Sequence, residues 1–234
     1  MQLRDGDRKP GRAFSGGAAA PRLLSGALCC FGLIALAVHH DWLLPLDQSI
    51  LLAFRTAGNP SVPAGPKGLV SFMRDVTSLG SFAVLSSTVL AVSGYLALNG
   101  HSNRALALLG YTIGGTLLGE GAKHLFSRVR PDAVPHLVDV VTLSFPSAHA
   151  MQSFVVWFTV AMMLAEEQSR SCVRIYVFAV AGLVSLAVGI SRIYFGVHWP
   201  TDVLAGWCLG LAWVVGCWWL DRRVSHRRGS AAEG

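Results

Sequence analysis

Residues 175–220 read IYVFAVAGLVSLAVGISRIYFGVHWPTDVLAGWCLGLAWVVGCWWL. Two apolar runs, Ile175–Ser191 and Val203–Leu220, flank a short polar break that holds Arg192, His198 and Asp202. Neither run carries Asp, Glu, Lys or Arg, and each approaches the roughly 20 apolar residues that a membrane-spanning helix needs. The pattern therefore predicts two spanning helices joined by a turn rich in ionisable groups. Such groups are expensive in hydrocarbon, so a cluster of them at helix ends points to a site and not to packing.

The same reading extends to the rest of the chain. Hydrophobic residues make up 53% of the 234 residues and charged residues only 14%. A soluble domain carries about 25% charged residues, so lipid is the expected solvent. Four further spans are predicted over Leu23–His40, Val76–Asn103, Ala105–Phe126 and Ala148–Ala165. The expected fold class is all-α, an integral membrane bundle of six transmembrane helices. An interfacial segment follows the first helix: Leu43–Phe54 suits an amphipathic helix at the membrane surface, and Asn59–Gly68, rich in Pro and Gly, suits a loop. Residues 1–21 form a basic tail, 22–221 the bundle and 222–234 a second basic tail. The first apolar segment ends Ala-Val-His-His without a small-x-small cleavage site, which favours an uncleaved anchor over a signal peptide.

The net charge of +6 is concentrated at the ends, in Arg4, Arg8, Lys9, Arg12 and Arg22 and in Arg222, Arg223, Arg227 and Arg228. With no soluble module to present a basic patch, this placement argues for membrane topology and against nucleic acid. Both termini are then cytoplasmic, as an even number of spans permits. By alternation, the segments Arg128–Ser147 and Arg192–Thr201 emerge together on the opposite, periplasmic or extracellular, side of the cell membrane. The cysteines Cys29, Cys30, Cys172, Cys208 and Cys217 lack CxxC spacing and read as packing residues, with no disulfide or zinc site.

Three polar clusters thus end at one face. Lys123 and Arg130 are seven residues apart, so they share a helix face if the third span continues, with Pro131 ending it. Lys123 also fits a snorkelling anchor, and Glu120 lies one turn before it as a pairing partner. In Pro146-Ser147-Ala148-His149, Ser147 is an N-cap whose following N–H groups can cradle an anion, and His149 can protonate a leaving oxygen. The blander reading of His149 is an interfacial polar residue. In Ser191-Arg192-x5-His198-x3-Asp202, Pro200 suits the first helical turn, and Asp202 lies one turn from His198. Asp202 can then orient one ring nitrogen and leave the other as a nucleophile, or it can simply complement the helix dipole.

These motifs resemble the signature of the type 2 phosphatidic acid phosphatase superfamily, KxxxxxxRP, PSGH and SRxxxxxHxxxD. Every signature position matches except Ala148, which stands where Gly is usual. A Cβ there is tolerated if φ is negative and strained if φ is positive. The resemblance extends to Arg74–Gly80 and Gly196–Gly206 and spans roughly residues 70–220. It implies that His198 forms a phosphohistidine, that Asp202 orients it, and that His149 acts as general acid and then base. It also implies that Lys123, Arg130, Arg192, Ser147 and the Ala148 N–H bind the phosphoryl oxygens. No cofactor and no metal are implied.

The expected activity is hydrolysis of a lipid phosphate or diphosphate, with undecaprenyl diphosphate as first choice. Phosphatidic acid, phosphatidylglycerol phosphate and lipid A stay open. A lipid phosphotransferase on the same scaffold and a non-catalytic transporter or regulator are the alternatives. A soluble haloperoxidase sharing the anion pocket is disfavoured by the lipid-length spans. The sequence leaves the oligomeric state open.

Overall fold

The structure, a computed structural model, describes residues 19–140 and 142–232, so most of the expected N-terminal tail lies outside the described residues. In chain order the elements are α1 (Ala19–His39), α2 (Leu44–Ala53), β1 (Arg55–Thr56), β2 (Asn59–Pro63), α3 (Leu69–Ser78), α4 (Phe82–Leu98), α5 (Ser102–Phe126), α6 (Ala148–Glu166), α7 (Ser171–Tyr194) and α8 (Pro200–Ala232). The expected loop at Asn59–Gly68 includes strand β2, which pairs antiparallel with β1 in a two-stranded hairpin. The C-terminal basic residues, expected as a tail, continue α8.

α6 is the central helix and packs against α5, α7 and α8, while α1 lies along α8. Small residues set the spacing. A Cβ on Gly206 of α8 would lie 2.8 Å from the Ser147 carbonyl oxygen, and one on Gly210 would lie 3.2 Å from that of Met151. Backbone therefore meets backbone along the α6–α8 seam, as small residues permit between membrane helices. Val155, Val156, Met151 and Leu108 are buried within the bundle, whereas Leu33, Leu90, Leu106, Ile113, Leu117 and Leu183 point outward. In water that outer surface would be a large aggregation-prone patch; in hydrocarbon it is the normal contact surface.

Four helices among the described residues are long and apolar enough to span a bilayer: Ala19–His39, Ala148–Glu166, Ser171–Tyr194 and Pro200–Val224. Leu69–Ser78 and Phe82–Leu98, bent by 42° at their junction, would together make a fifth. The break at Leu79–Ser81 divides the span expected over Val76–Asn103: Leu79 closes α3, and the Ser81 side chain caps α4 by accepting from Val84 N at 3.3 Å. α5 has the length, at 25 residues, but carries Arg104, Glu120, Lys123 and several glycines.

α2 forms where the amphipathic segment was expected, but it is wedged inward as well as lying at an edge. Asp47 and Leu51 are fully buried, while Leu46 and Leu52 on its other face are exposed. Leu51 packs in a cluster with Val134, Ala150, Trp199 and Val203, directly behind the polar turn between α7 and α8.

Gly206→Val should force α6 and α8 apart, because the clash is with a carbonyl and not with a flexible side-chain end. A stability loss of about 1–3 kcal/mol is expected from such overpacking, read as a lower thermal midpoint in detergent. Gly32→Ala, whose Cβ meets nothing within 4 Å, is the control and should change the midpoint little.

Candidate active site

The sequence-predicted residues come from α5, α6, α7 and α8, the loop after α5 and the turn between α7 and α8, and they converge at one end of the bundle. α7 delivers Arg192 in its last turn, and α8 opens at Pro200 with Asp202 in its first. Between them Gly196 takes φ +73, and a Cβ there would lie 2.7 Å from both Arg55 Nη2 and Val134 Cγ2. Only glycine meets both demands, and the tight turn it allows carries His198 back toward the helix ends.

α5 does not continue to Arg130. It stops at Phe126, and Ser127 enters the left-handed region at φ 47. Lys123 and Arg130 therefore do not share a helix face, and Pro131 is not what ends the helix. Both come within range of His149 because the loop folds back: Arg130 donates to the carbonyls of Thr142 (Nε, 2.6 Å) and Val197 (Nη1, 2.5 Å) and to Thr142 Oγ1 (Nη2, 3.0 Å). Its Nη1 lies 3.2 Å from His198 Nε2. Lys123 is buried and pairs with Glu120 at 2.9 Å, as its spacing predicted.

α6 starts as expected. Ser147 is extended and its hydroxyl accepts from Ala150 N at 3.5 Å. Positive φ among described non-glycine residues is confined to Asp41 and Ser127, so Ala148 is unstrained in the place of the usual glycine. His149 faces the same space, within electrostatic range of Arg192, His198, Lys123 and Arg130. Arg192, itself buried, donates from Nη1 to Thr77 Oγ1 at 3.2 Å, tying α7 to α3.

His198 Nδ1 lies 3.4 Å from Asp202 Oδ2 without the alignment of a hydrogen bond, close enough for the field of the carboxylate to act on the ring. That leaves Nε2 as the nitrogen aimed into the site. Burial drives the His198 pKa from 6.5 down to about 4; Arg130 and Arg192 add to the effect and Asp202 opposes it. His198 is therefore neutral at pH 7. Burial also lowers the Arg130 pKa, with Asp202 opposing. Among the described residues neither Arg130 nor Arg192 forms an ion pair within 4 Å. Two cations held by neutral donors and acceptors, beside a neutral imidazole and a capped helix start, form a site that favours a multiply charged oxyanion.

Residues 104–225 match the model of the PAP2 superfamily. The chain belongs to that superfamily. It is 32% identical over 184 residues to the phosphatidylglycerophosphatase B of Bacillus subtilis (strain 168), covering 77% of this chain and 86% of the relative. It is 30% identical over 103 residues to an undecaprenyl-diphosphatase of Sulfolobus acidocaldarius, spanning 45% of that protein. The crystal structure of the transmembrane PAP2-type phosphatidylglycerolphosphate phosphatase from Bacillus subtilis superposes with a TM-score of 0.77 at 28% identity, covering 86% of this chain and 96% of that one. Aquifex aeolicus LpxE shares the fold, with a TM-score of 0.53 at 23% identity over 74% of this chain and 93% of that one. This PAP2 protein is thus a multi-pass membrane phosphatase, a hydrolase of phosphoric esters.

Two residues around the site escaped the sequence reading. Arg128 Nη1 donates to Asp202 Oδ1 at 2.6 Å, and its Nη2 donates to Asp47 Oδ2 at 2.9 Å. Asp47 was legible in principle, as the only charge in the apolar stretch Leu43–Phe54. Arg128 gave no signal beyond its nearness to Arg130.

Unfolded imidazole titrates near 6.5 and His198 in the folded protein at about 4, so between those values the unfolded chain binds the extra proton. Stability from His198 is then lost as pH falls through that window. The thermal midpoint in detergent should fall on acidification over that range, and His198→Asn should flatten part of the slope. An unchanged slope in the variant would place the titration in another group.

Proposed function

We propose that this PAP2 phosphatase hydrolyses a phosphate ester on a lipid headgroup through a phosphohistidine on His198. The observation that carries the reading is the placement of neutral His198 with Nε2 free of Asp202 and beside Arg130, at the mouth of the capped start of α6. In this mechanism Nε2 attacks phosphorus and a P–N bond forms as the P–O bond to the lipid breaks. The leaving oxygen takes a proton from His149. Asp202 steadies the charge that develops on the imidazole. His149 then accepts a proton from water, whose oxygen attacks phosphorus; the P–N bond breaks and inorganic phosphate leaves. Lys123, Arg130, Arg192, the Ser147 hydroxyl and the Ala148 N–H bind the equatorial oxygens, where charge is greatest in the transition state. These fixed cations fill the role that a metal ion plays in other phosphatases, so the reaction is assigned as metal-independent.

Phosphatidylglycerol phosphate now stands ahead of undecaprenyl diphosphate as substrate. The relative named for the former is matched over 86% of its length, and that named for the latter over 45%. Six spans, with α5 crossing despite its charges and α3–α4 as one bent span, keep both termini cytoplasmic. The site then opens on the periplasmic or extracellular side, which suits a lipid arriving laterally with its headgroup at that surface.

Purified protein offered phosphatidylglycerol phosphate, phosphatidic acid, undecaprenyl diphosphate and lipid A in detergent should release phosphate, fastest from the first. His198→Ala should release none, and chelator should leave the wild-type rate unchanged. Since attack requires the unprotonated ring, activity should persist below pH 6.5 and fall as pH drops through about 4. Release from none of the lipids, or restoration by magnesium after chelation, would overturn the assignment.

A further inference from the structure

Asp47 lies at the far end of a buried chain of charges that terminates at His198. It has no exposed surface, and neither does Asp202. Its Oδ1 accepts from Thr201 N at 2.9 Å; its Oδ2 accepts from Thr201 Oγ1 at 2.5 Å and from Arg128 Nη2 at 2.9 Å. Pro200 opens α8 without an N–H, so Thr201 N is the first unpaired donor of that helix, and Asp47 satisfies it from a distant element. Arg128 Nη1 divides between Thr201 Oγ1 at 2.8 Å and Asp202 Oδ1 at 2.6 Å, and the guanidinium lies 5.4 Å from the Trp199 ring centre. Asp202 Oδ2 accepts from the Ser144 hydroxyl and from Trp199 N at 2.9 Å.

The charge balance of this chain is informative. A single guanidinium 2.6 Å from Asp202 would cancel most of the field that the carboxylate presents to His198. Two carboxylates on one guanidinium leave a net negative charge, which remains available to the imidazole 3.4 Å away. We infer that Asp47 is a positioning residue for the His198–Asp202 pair: by sharing Arg128 and capping the start of α8, it keeps the Asp202 carboxylate's field from being cancelled and holds the carboxylate aimed at His198. This rests on the reading of His198 as nucleophile, and it gives α2 a role in catalysis that its place between the first spans does not suggest.

The test uses full-length protein in detergent with phosphatidylglycerol phosphate micelles. Asp47→Asn should lower kcat by about 10–100-fold, the range found when groups that orient metal ligands are removed, with KM little changed, because no substrate contact is lost. Arg128→Gln in that background should recover part of the loss, since the field of Asp202 at His198 is no longer cancelled when the guanidinium is gone. The groups facing His198 are Asp202 on α8, Arg130 in the loop after α5, Arg192 on α7 and His149 on α6, with Lys123 on α5 acting on His149 behind them. None of these is altered, so any movement of the acid limb of kcat reports the Asp47–Arg128 balance. Arg128→Gln alone should move that limb upward and Asp47→Asn downward.

Thr201→Val, which removes only the bridging hydroxyl, should fold and lower kcat less than Asp47→Asn; it answers the question if Asp47→Asn does not fold. Unchanged kcat in the folded variants, or additive losses with a fixed acid limb, beside an inactive His198→Ala would overturn this inference alone. An active His198→Ala, or a wild type that releases no phosphate, would overturn the reading beneath it.

Discussion

A carboxylate with no exposed surface must be surrounded by donors, and Asp202 has drawn them from across the chain. Arg128 comes from the loop after α5, Ser144 from the approach to α6, and Trp199 from the turn before α8. Even the Ser147 N–H, at the start of α6, is bound to the Asp202 carbonyl at 3.0 Å. Burying an ion costs several kcal/mol unless charge and hydrogen bonds compensate it. The polar end of the bundle can be understood as that compensation. Once the donors are assembled, His198, Arg130 and the cap of α6 have few other places to lie.

The apolar part of the bundle serves this assembly by holding helix starts in register. The α6–α8 seam, closed to backbone contact at Gly206 and Gly210, sets Ser147 beside Asp202. Thr77 at the end of α3 fixes Arg192, and the α3–α4 break at Gly80 packs against Val188 of α7. Lipid supplies no hydrophobic drive between helices, so close packing and these polar ties carry the arrangement.

The apolar runs, the cap at Ser147 and the pairing of Lys123 with Glu120 were all legible, because each is a local property with its own spacing rule. The seven-residue interval from Lys123 to Arg130 was legible only as a number. It suggested one helix face, yet Ser127 turns the chain and Arg130 arrives by a loop, bound to carbonyls of Thr142 and Val197. The single span expected over Val76–Asn103 likewise ignored a break that three polar or flexible residues, Ser78, Gly80 and Ser81, make inexpensive. Asp47 went unread inside the amphipathic segment Leu43–Phe54, because its partners Arg128 and Thr201 lie far away in sequence.

By itself the sequence determined that the protein lives in lipid, that helices carry it, and that His198, Asp202, His149 and the cations belong together. Hydropathy is a sum over neighbours, and the motifs keep fixed distances along the chain. The tertiary structure alone decided that Asp202 is shared between His198 and Arg128, that Asp47 stands behind both, and that Ala148 is harmless in a helical first turn. Those outcomes depend on pairs up to 154 residues apart, whose meeting is set by helix packing and by the need to leave no buried charge alone.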